Sequence, residues 1–117
     1  MEILSPKEIP EWLQQYPPEY LRLIDQNIVK FSPWYFLDAK LARLRYDGLQ
    51  KRYPNRHLFA FAARLDNDDI ACWESGKPGQ VLIIHDFASE GFANRKEFAS
   101  FWDWFRAAIE DMITFEN

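Results

Sequence analysis

The residues with the clearest capacity for chemistry are four consecutive polar residues, Asp66-Asn67-Asp68-Asp69. Closely spaced carboxylates bind divalent cations, and a calcium loop has a glycine at its sixth position and a glutamate at its twelfth. Counted from Asp66, those positions hold Ala71 and Lys77, so the calcium pattern is not met. Asn and Asp side chains also hydrogen-bond nearby backbone groups in turns. We therefore predict a tight turn, with a metal-dependent enzyme that uses these carboxylates as the alternative.

Two further positions invite a catalytic interpretation. His85 and Asp86 suggest a general base beside an orienting carboxylate, but adjacent residues of a strand point to opposite faces. We predict a histidine that is satisfied by neighbouring backbone groups. Cys72 lies near Asp69 and Glu74 in sequence, whereas a reactive cysteine needs an electropositive setting. It is predicted to be a small buried apolar residue, so the sequence predicts no catalytic residue, no cofactor and no metal.

N-terminal helices are the first elements that position these residues. Ser5-Pro6-Lys7-Glu8 has the spacing of a capping box and predicts a short helix. Pro17-Pro18 starts a second helix that runs to about Gln26, with inward-facing residues Tyr20, Leu21 and Ile24. A third, amphipathic helix of about four turns ends before Pro54, and its predicted inward stripe is Leu37, Leu41, Leu44 and Gly48.

A central, largely antiparallel β-sheet of about four to five strands follows from the alternation of apolar residues. Residues 58–65, 69–74 and 80–87 are predicted to form an antiparallel meander. A long aromatic C-terminal helix then packs on the sheet, and its predicted buried stripe is Phe98, Phe101, Trp102, Phe105, Ile109 and Met112. The sequence thus predicts a single α+β domain over residues 1–117.

The charge of the chain is unevenly distributed. Residues 1–65 hold ten Lys and Arg against seven Asp and Glu, a net of +3, whereas residues 66–117 hold four against eleven, a net of −7. An acidic half suits a basic protein partner and not a nucleic acid, whose phosphates require Lys and Arg; acidity also simply keeps small domains soluble. We predict a cytoplasmic protein without membrane contact. A single cysteine fits a reducing compartment, the segment after Met1 does not resemble a secretory signal, and the longest aliphatic run, at 81–84, is too short to cross a bilayer.

Several motifs, in order, resemble the SUKH superfamily of SMI/KNR-like domains. They are Pro18-x-Tyr20-Leu21, the strand pair from Phe61 to Trp73, Ile83-Ile84-His85-Asp86-Phe87, and Ser100-Phe101-x-x-Trp104-Phe105, and they span roughly residues 17–113. The resemblance implies an α+β domain with N-terminal helices, a mixed or antiparallel sheet and a closing helix. It also implies a non-catalytic role, because bacterial members commonly neutralise toxins, often nucleases, by direct binding, whereas eukaryotic members regulate cell-wall synthesis.

Three hypotheses for function follow. The first is an immunity protein that binds a basic protein toxin, the second a regulatory or scaffold domain, and the third a small metal-dependent enzyme. A monomer or weak dimer is expected. The expected partner contacts are acidic residues, in one patch or two, together with loop or edge aromatic residues that anchor a partner: Asp66, Asp68, Asp69, Glu74, Asp86, Glu90, Trp34, Phe92 and Trp104.

Overall fold

The computed structural model describes residues 1–89 and 91–116. Within them the chain forms one six-stranded sheet in which all neighbouring strands are antiparallel and follow chain order. The strands are β1 (Lys30–Phe31), β2 (Trp34–Phe36), β3 (Leu58–Arg64), β4 (Asp69–Glu74), β5 (Val81–His85) and β6 (Asn94–Phe98). The α+β class and the meander of β3, β4 and β5 are confirmed, with one strand more than expected.

Three α-helices accompany the sheet in this part of the chain: α1 (Pro18–Asp25), α2 (Ala39–Arg52) and α3 (Phe101–Thr114). Asp38 caps α2 by accepting a hydrogen bond from the backbone N–H of Leu41, and Ser100 caps α3 in the same way from Asp103. None of the helices in residues 1–89 and 91–116 is long and apolar enough to span a membrane.

The centre of the sheet is covered on both faces. Successive residues of a strand point to opposite faces, and Ile70, Ala71 and Cys72 of β4 are all completely buried. Helix α2 packs along β3, while Tyr20 of α1 and Trp104 of α3 place their rings 5.9 and 5.0 Å from the ring of Phe61. The burial of Cys72 confirms its predicted place in the core.

The N-terminal segment differs from the prediction. Glu8 accepts a hydrogen bond from the backbone N–H of Ser5 at 2.9 Å, as in a capping box, but the chain forms a turn there and not a helix. Pro10 explains the interruption because a proline within a helix removes a donor and clashes with the preceding turn. A single 3-10 turn follows at Glu11–Leu13.

The faces of the three α-helices were predicted only in part. In α1 Tyr20 and Leu23 are buried, and Leu21 is exposed. Helix α2 buries Ala42 and Leu49, so the inward stripe through Leu41 and Leu44 was wrong. Helix α3 starts only at Phe101, which leaves Phe98 in β6, and its fully buried residues are Phe101, Trp104 and Ala108, while Met112 is exposed.

Candidate functional site

The acidic turn between β3 and β4 is held by its own side chains. The carboxamide of Asn67 accepts a hydrogen bond from the backbone N–H of Asp69 at 2.8 Å, which is the local bonding expected of an Asx turn. Asp66 forms a bidentate pair with Arg64, with distances of 2.8 and 2.9 Å. The hydrogen bonds from Arg64 lower the pKa of Asp66 below its ordinary value. The predicted turn is confirmed.

The remaining charges near the turn are also largely paired. Asp69 lies 2.9 Å from Nδ1 of His85 and 3.3 Å from Nε of Arg95. His85 therefore bonds a carboxylate across the strand pair, and the prediction that backbone groups satisfy it was wrong. Among the described residues no group of three or more His, Cys, Asp or Glu side chains is arranged to hold a metal ion.

Asp86 lies at the same end of the sheet as the turn, because its backbone N–H donates to the carbonyl of Asp68 at 3.0 Å. Its carboxylate is completely buried and accepts hydrogen bonds from Arg45 at 2.9 Å and from Arg52 at 2.6 and 2.7 Å. The backbone N–H of Phe87 supplies another at 2.8 Å. The expectation that Asp86 contacts a partner directly was wrong, because partners cannot reach a buried carboxylate.

The buried carboxylate stays ionised for a clear reason. Burial alone raises the pKa of Asp86, but the hydrogen bonds from Arg52 and Arg45 outweigh burial and leave the pKa below its ordinary value. The ion pair therefore fixes two arginines of α2 to the end of β5, although 34 and 41 residues separate them along the chain from Asp86.

This ion pair supports an exposed aromatic ring. Phe87 has a φ of 68°, a left-handed conformation that is uncommon for a residue with a side chain, and its ring is 62% exposed. The guanidinium of Arg52 lies 4.1 Å from the ring centroid. Leu41 and Leu44 of α2, which are 42% and 60% exposed, line one groove of about 220 Å³ together with Phe87. We call Leu41, Leu44 and Phe87 the α2–Phe87 surface.

Sequence reasoning missed this surface because it assigned both leucines to the core. The available signal was that α2 carries apolar residues on two sides of the helix, since Leu41 and Leu44 lie on a different side from Ala42 and Leu49. A helix at the edge of a small domain can bury only one such side. The other side is then left exposed, as it is here.

The other expected contact residues are scattered. Glu74 lies at the far end of β4 from the turn and forms a bidentate pair with Arg56 at 2.8 and 2.9 Å, so the acidic residues do not form one patch. Trp34 and Trp104 are buried, and their expected role as surface anchors was wrong. Phe92 is exposed. Glu90 lies outside the described residues.

The α2–Phe87 surface is suited to binding by burial. Its three side chains are large and apolar, and the ion pair holds Phe87 through the hydrogen bond from its backbone N–H to Asp86 and the contact of its ring with Arg52, so Phe87 loses little freedom on contact. The comparisons with known proteins add no relative: no protein-family model matches this chain, and neither do any curated protein or any solved structure.

Proposed function

We propose that this chain is a non-catalytic protein-binding domain that docks its partner on the α2–Phe87 surface. One observation carries the proposal: Phe87 is held outward in a left-handed backbone by a buried ion pair. Such a conformation costs on the order of 1 kcal/mol for a residue with a side chain. A ring that is 62% exposed recovers little of this cost by burial. Local strain of this kind is typical of functional positions.

The surface offers enough area for measurable affinity. Full burial of a Leu or Phe side chain contributes about 1.5 to 3 kcal/mol. Leu44 and Phe87 are both more than half exposed, so covering them yields about 2 kcal/mol together. That free energy corresponds to roughly thirtyfold in affinity. An aromatic ring on a rigid support is also the kind of residue that dominates binding energy in protein interfaces.

The charge around the surface indicates the chemistry of the partner. The solvent-exposed side of α2 carries Lys40, Arg43 and Lys51 against Asp47, and the buried Asp86 offsets only part of the charge of Arg45 and Arg52. The segment that meets α2 therefore presents apolar side chains flanked by carboxylates, because complementary charge favours the correct partner.

The biological setting of the proposal comes from the resemblance to the SUKH superfamily. In that setting the partner is a toxin, and this chain acts as an immunity protein that blocks it by direct binding. A regulatory or scaffold domain would use the same surface with weaker and more numerous partners. The metal-dependent enzyme is not proposed, because Asp66 and Asp69 are engaged by Arg64, His85 and Arg95.

A second docking mode applies to a basic toxin, the kind of partner that the charge distribution of the chain suggests. Asp68 is exposed, and the acidic turn lies at the same end of the sheet as Phe87. A basic partner would meet this turn by charge attraction, with a strong dependence on salt. Docking on the α2–Phe87 surface gains its free energy mainly from apolar burial, and removing a carboxylate from the acidic turn leaves it unchanged.

The experiment uses three tagged forms of the full chain as bait in extracts of the source organism: the parent, Leu41→Ser and Leu21→Ser. Leu21 is a matched control, because it is 41% exposed on α1 whereas Leu41 is 42% exposed on α2. Each captured protein is then expressed alone and together with each form, and cell growth is measured.

We expect one stoichiometric partner that arrests growth when expressed alone. The parent and Leu21→Ser restore growth, and Leu41→Ser loses both capture and protection. Equal behaviour of the two serine variants would refute docking on the α2–Phe87 surface. A non-toxic set of several weak partners that Leu41→Ser also loses would favour the scaffold role over immunity.

A further inference from the structure

Helix α3 carries apolar side chains on its solvent side as well as on its buried side. The buried side consists of Phe101, Trp104 and Ala108. A second row of apolar residues recurs every three or four positions, which places its members together on one other side of the helix: Trp102, Phe105, Ile109 and Ile113. We call these four residues the α3 stripe. Ile113 is 67% exposed and the other three are partly exposed, so the rest of the described chain leaves the stripe partly uncovered.

The α3 stripe is held in place from its inner side. The ring of Phe105 lies 5.3 Å from the ring of Phe31 and 5.9 Å from the ring of Trp102. Side chains that are already fixed by packing lose little freedom when a second surface covers them. The stripe extends over three helical turns, which is about 16 Å. Exposed apolar rows of this kind mark interaction sites.

Charged residues border the α3 stripe on one flank. The side chain of Arg106 is 77% exposed, and the carboxylate with which it pairs, Asp103, lies 3.5 Å away. An exposed pair at that distance contributes little. Glu110 lies one turn further along the same flank and is also exposed, and it takes part in no ion pair within residues 1–89 and 91–116. The flank therefore presents one cation and one carboxylate to whatever covers the stripe.

The order of these residues is complementary to itself when the helix is reversed. In a symmetric dimer, residue i of one copy contacts residue j of the other, and j contacts i. An antiparallel pair of α3 helices that is centred near Ala107 sets Arg106 of each copy beside Glu110 of the other. The same alignment sets the aromatic rings at the start of one stripe against the isoleucines at the end of the other. A parallel pair would instead bring like charges together, which is unfavourable.

We propose that the α3 stripe binds a second copy of this chain, as an antiparallel helix pair with twofold symmetry. Charge complementarity selects this occupant and this stripe. The α2–Phe87 surface does not suit self-association, because the exposed side of α2 carries Lys40, Arg43 and Lys51 against Asp47, and two such sides repel each other. Four residues per copy form a small interface, so the dimer is weak. The dimer uses a different helix from the proposed partner binding and stands or falls separately from it.

The test measures sedimentation of the purified full chain in the analytical ultracentrifuge, from about 10 µM to about 1 mM protein. Ile113→Ser removes the most exposed apolar side chain of the stripe, and Leu44→Ser is its matched control on α2, because these side chains are 67% and 60% exposed. Arg106→Glu and Glu110→Arg each place like charges across the proposed interface, and the double variant restores opposite charges in exchanged positions. Circular dichroism of the dilute variants checks that each one is folded.

We expect the parent and Leu44→Ser to dimerise with a Kd on the order of 100 µM. Ile113→Ser should weaken the dimer about tenfold. Each single charge reversal should do the same, because symmetry makes it act at two ion pairs, and the double variant should regain the parent Kd. A parent that stays monomeric at about 1 mM, a double variant as weak as the single reversals, or equal dimerisation of the two serine variants would overturn the proposal.

Discussion

Replacing Asp86 with asparagine removes one buried charge and keeps the shape of the side chain. The carboxylate accepts hydrogen bonds from Arg45, from two nitrogens of Arg52 and from the backbone of Phe87. Removing one partner of a buried ion pair costs about 3 to 5 kcal/mol. The two arginines retain 25% and 28% exposure, and water therefore offsets part of their loss. We expect the unfolding free energy of Asp86→Asn to fall by about 2 to 3 kcal/mol.

Urea unfolding followed by circular dichroism measures this loss. The midpoint should fall with an unchanged slope, because the variant buries the same surface. Asp68→Asn is the matched control, since Asp68 is exposed and lies at the same end of the sheet. Its unfolding free energy should change by less than about 0.5 kcal/mol. In a thermal melt the Asp86→Asn loss corresponds to roughly 10 °C.

The dependence on pH gives a second check with a definite sign. The pKa of Asp86 is lowered in the folded state from its ordinary value of 3.8, so its contribution to stability is complete above that value and is lost as the pH falls through the lowered pKa. The difference between the parent and Asp86→Asn should therefore be constant near neutral pH and shrink below about pH 4. A loss under about 0.5 kcal/mol, or a difference that grows on acidification, would refute the reasoning.

Three further predictions concern single residues. Phe87→Gly should leave the unfolding free energy in urea unchanged or raise it by up to about 1 kcal/mol, because glycine adopts positive φ freely and the exposed contact with Arg52 contributes little. A decrease of more than about 1 kcal/mol would contradict a strained backbone at Phe87. Burial raises the pKa of the Cys72 thiol, so Ellman's reagent should react with Cys72 in the unfolded chain and not in the native one. Rapid labelling of the native chain would contradict this prediction and show that β4 opens. Ser100→Ala should lower the unfolding free energy by about 1 kcal/mol through loss of the α3 cap, whereas the exposed Ser75→Ala serves as its control.

The parts of the fold that sequence predicts best are those with a local cause. Residues 58–85 alternate and turn in a pattern that specifies an antiparallel meander, and Asn67 supplies the hydrogen bond that the turn needs. Strand β2 is only three residues long, and β6 is polar and exposed over residues 94–97. Strands as short or as polar as these carry too little alternation to be recognised from sequence, whereas β1 (Lys30–Phe31) lies within residues 28–31, for which the sequence predicts a short strand.

The candidate site was poorly predicted because its contacts are distant in sequence. The pairing of Arg45 and Arg52 with Asp86 spans more than 30 residues, and nothing local distinguishes these arginines from other basic residues of α2. Burial was the second obstacle, because a helix with two apolar sides does not reveal which side faces the core. The aromatic residues illustrate the same limit, since Trp104 lies at the edge of the predicted stripe but at the centre of the packed rings.

Binding to the α2–Phe87 surface is tested most directly by the affinity of the purified partner for four forms of the chain: the parent, Leu44→Ser, Leu21→Ser and Asp68→Asn. Titration calorimetry from about 50 to about 500 mM salt separates apolar burial from charge attraction. We predict that Leu44→Ser weakens binding about tenfold at each salt concentration and that the other two variants bind like the parent. Salt acts on the exposed charges of α2 and should weaken the binding of the parent and of Leu44→Ser by the same factor. Unchanged affinity of Leu44→Ser, with a steep loss in salt and for Asp68→Asn, would contradict the account and assign binding to the acidic turn.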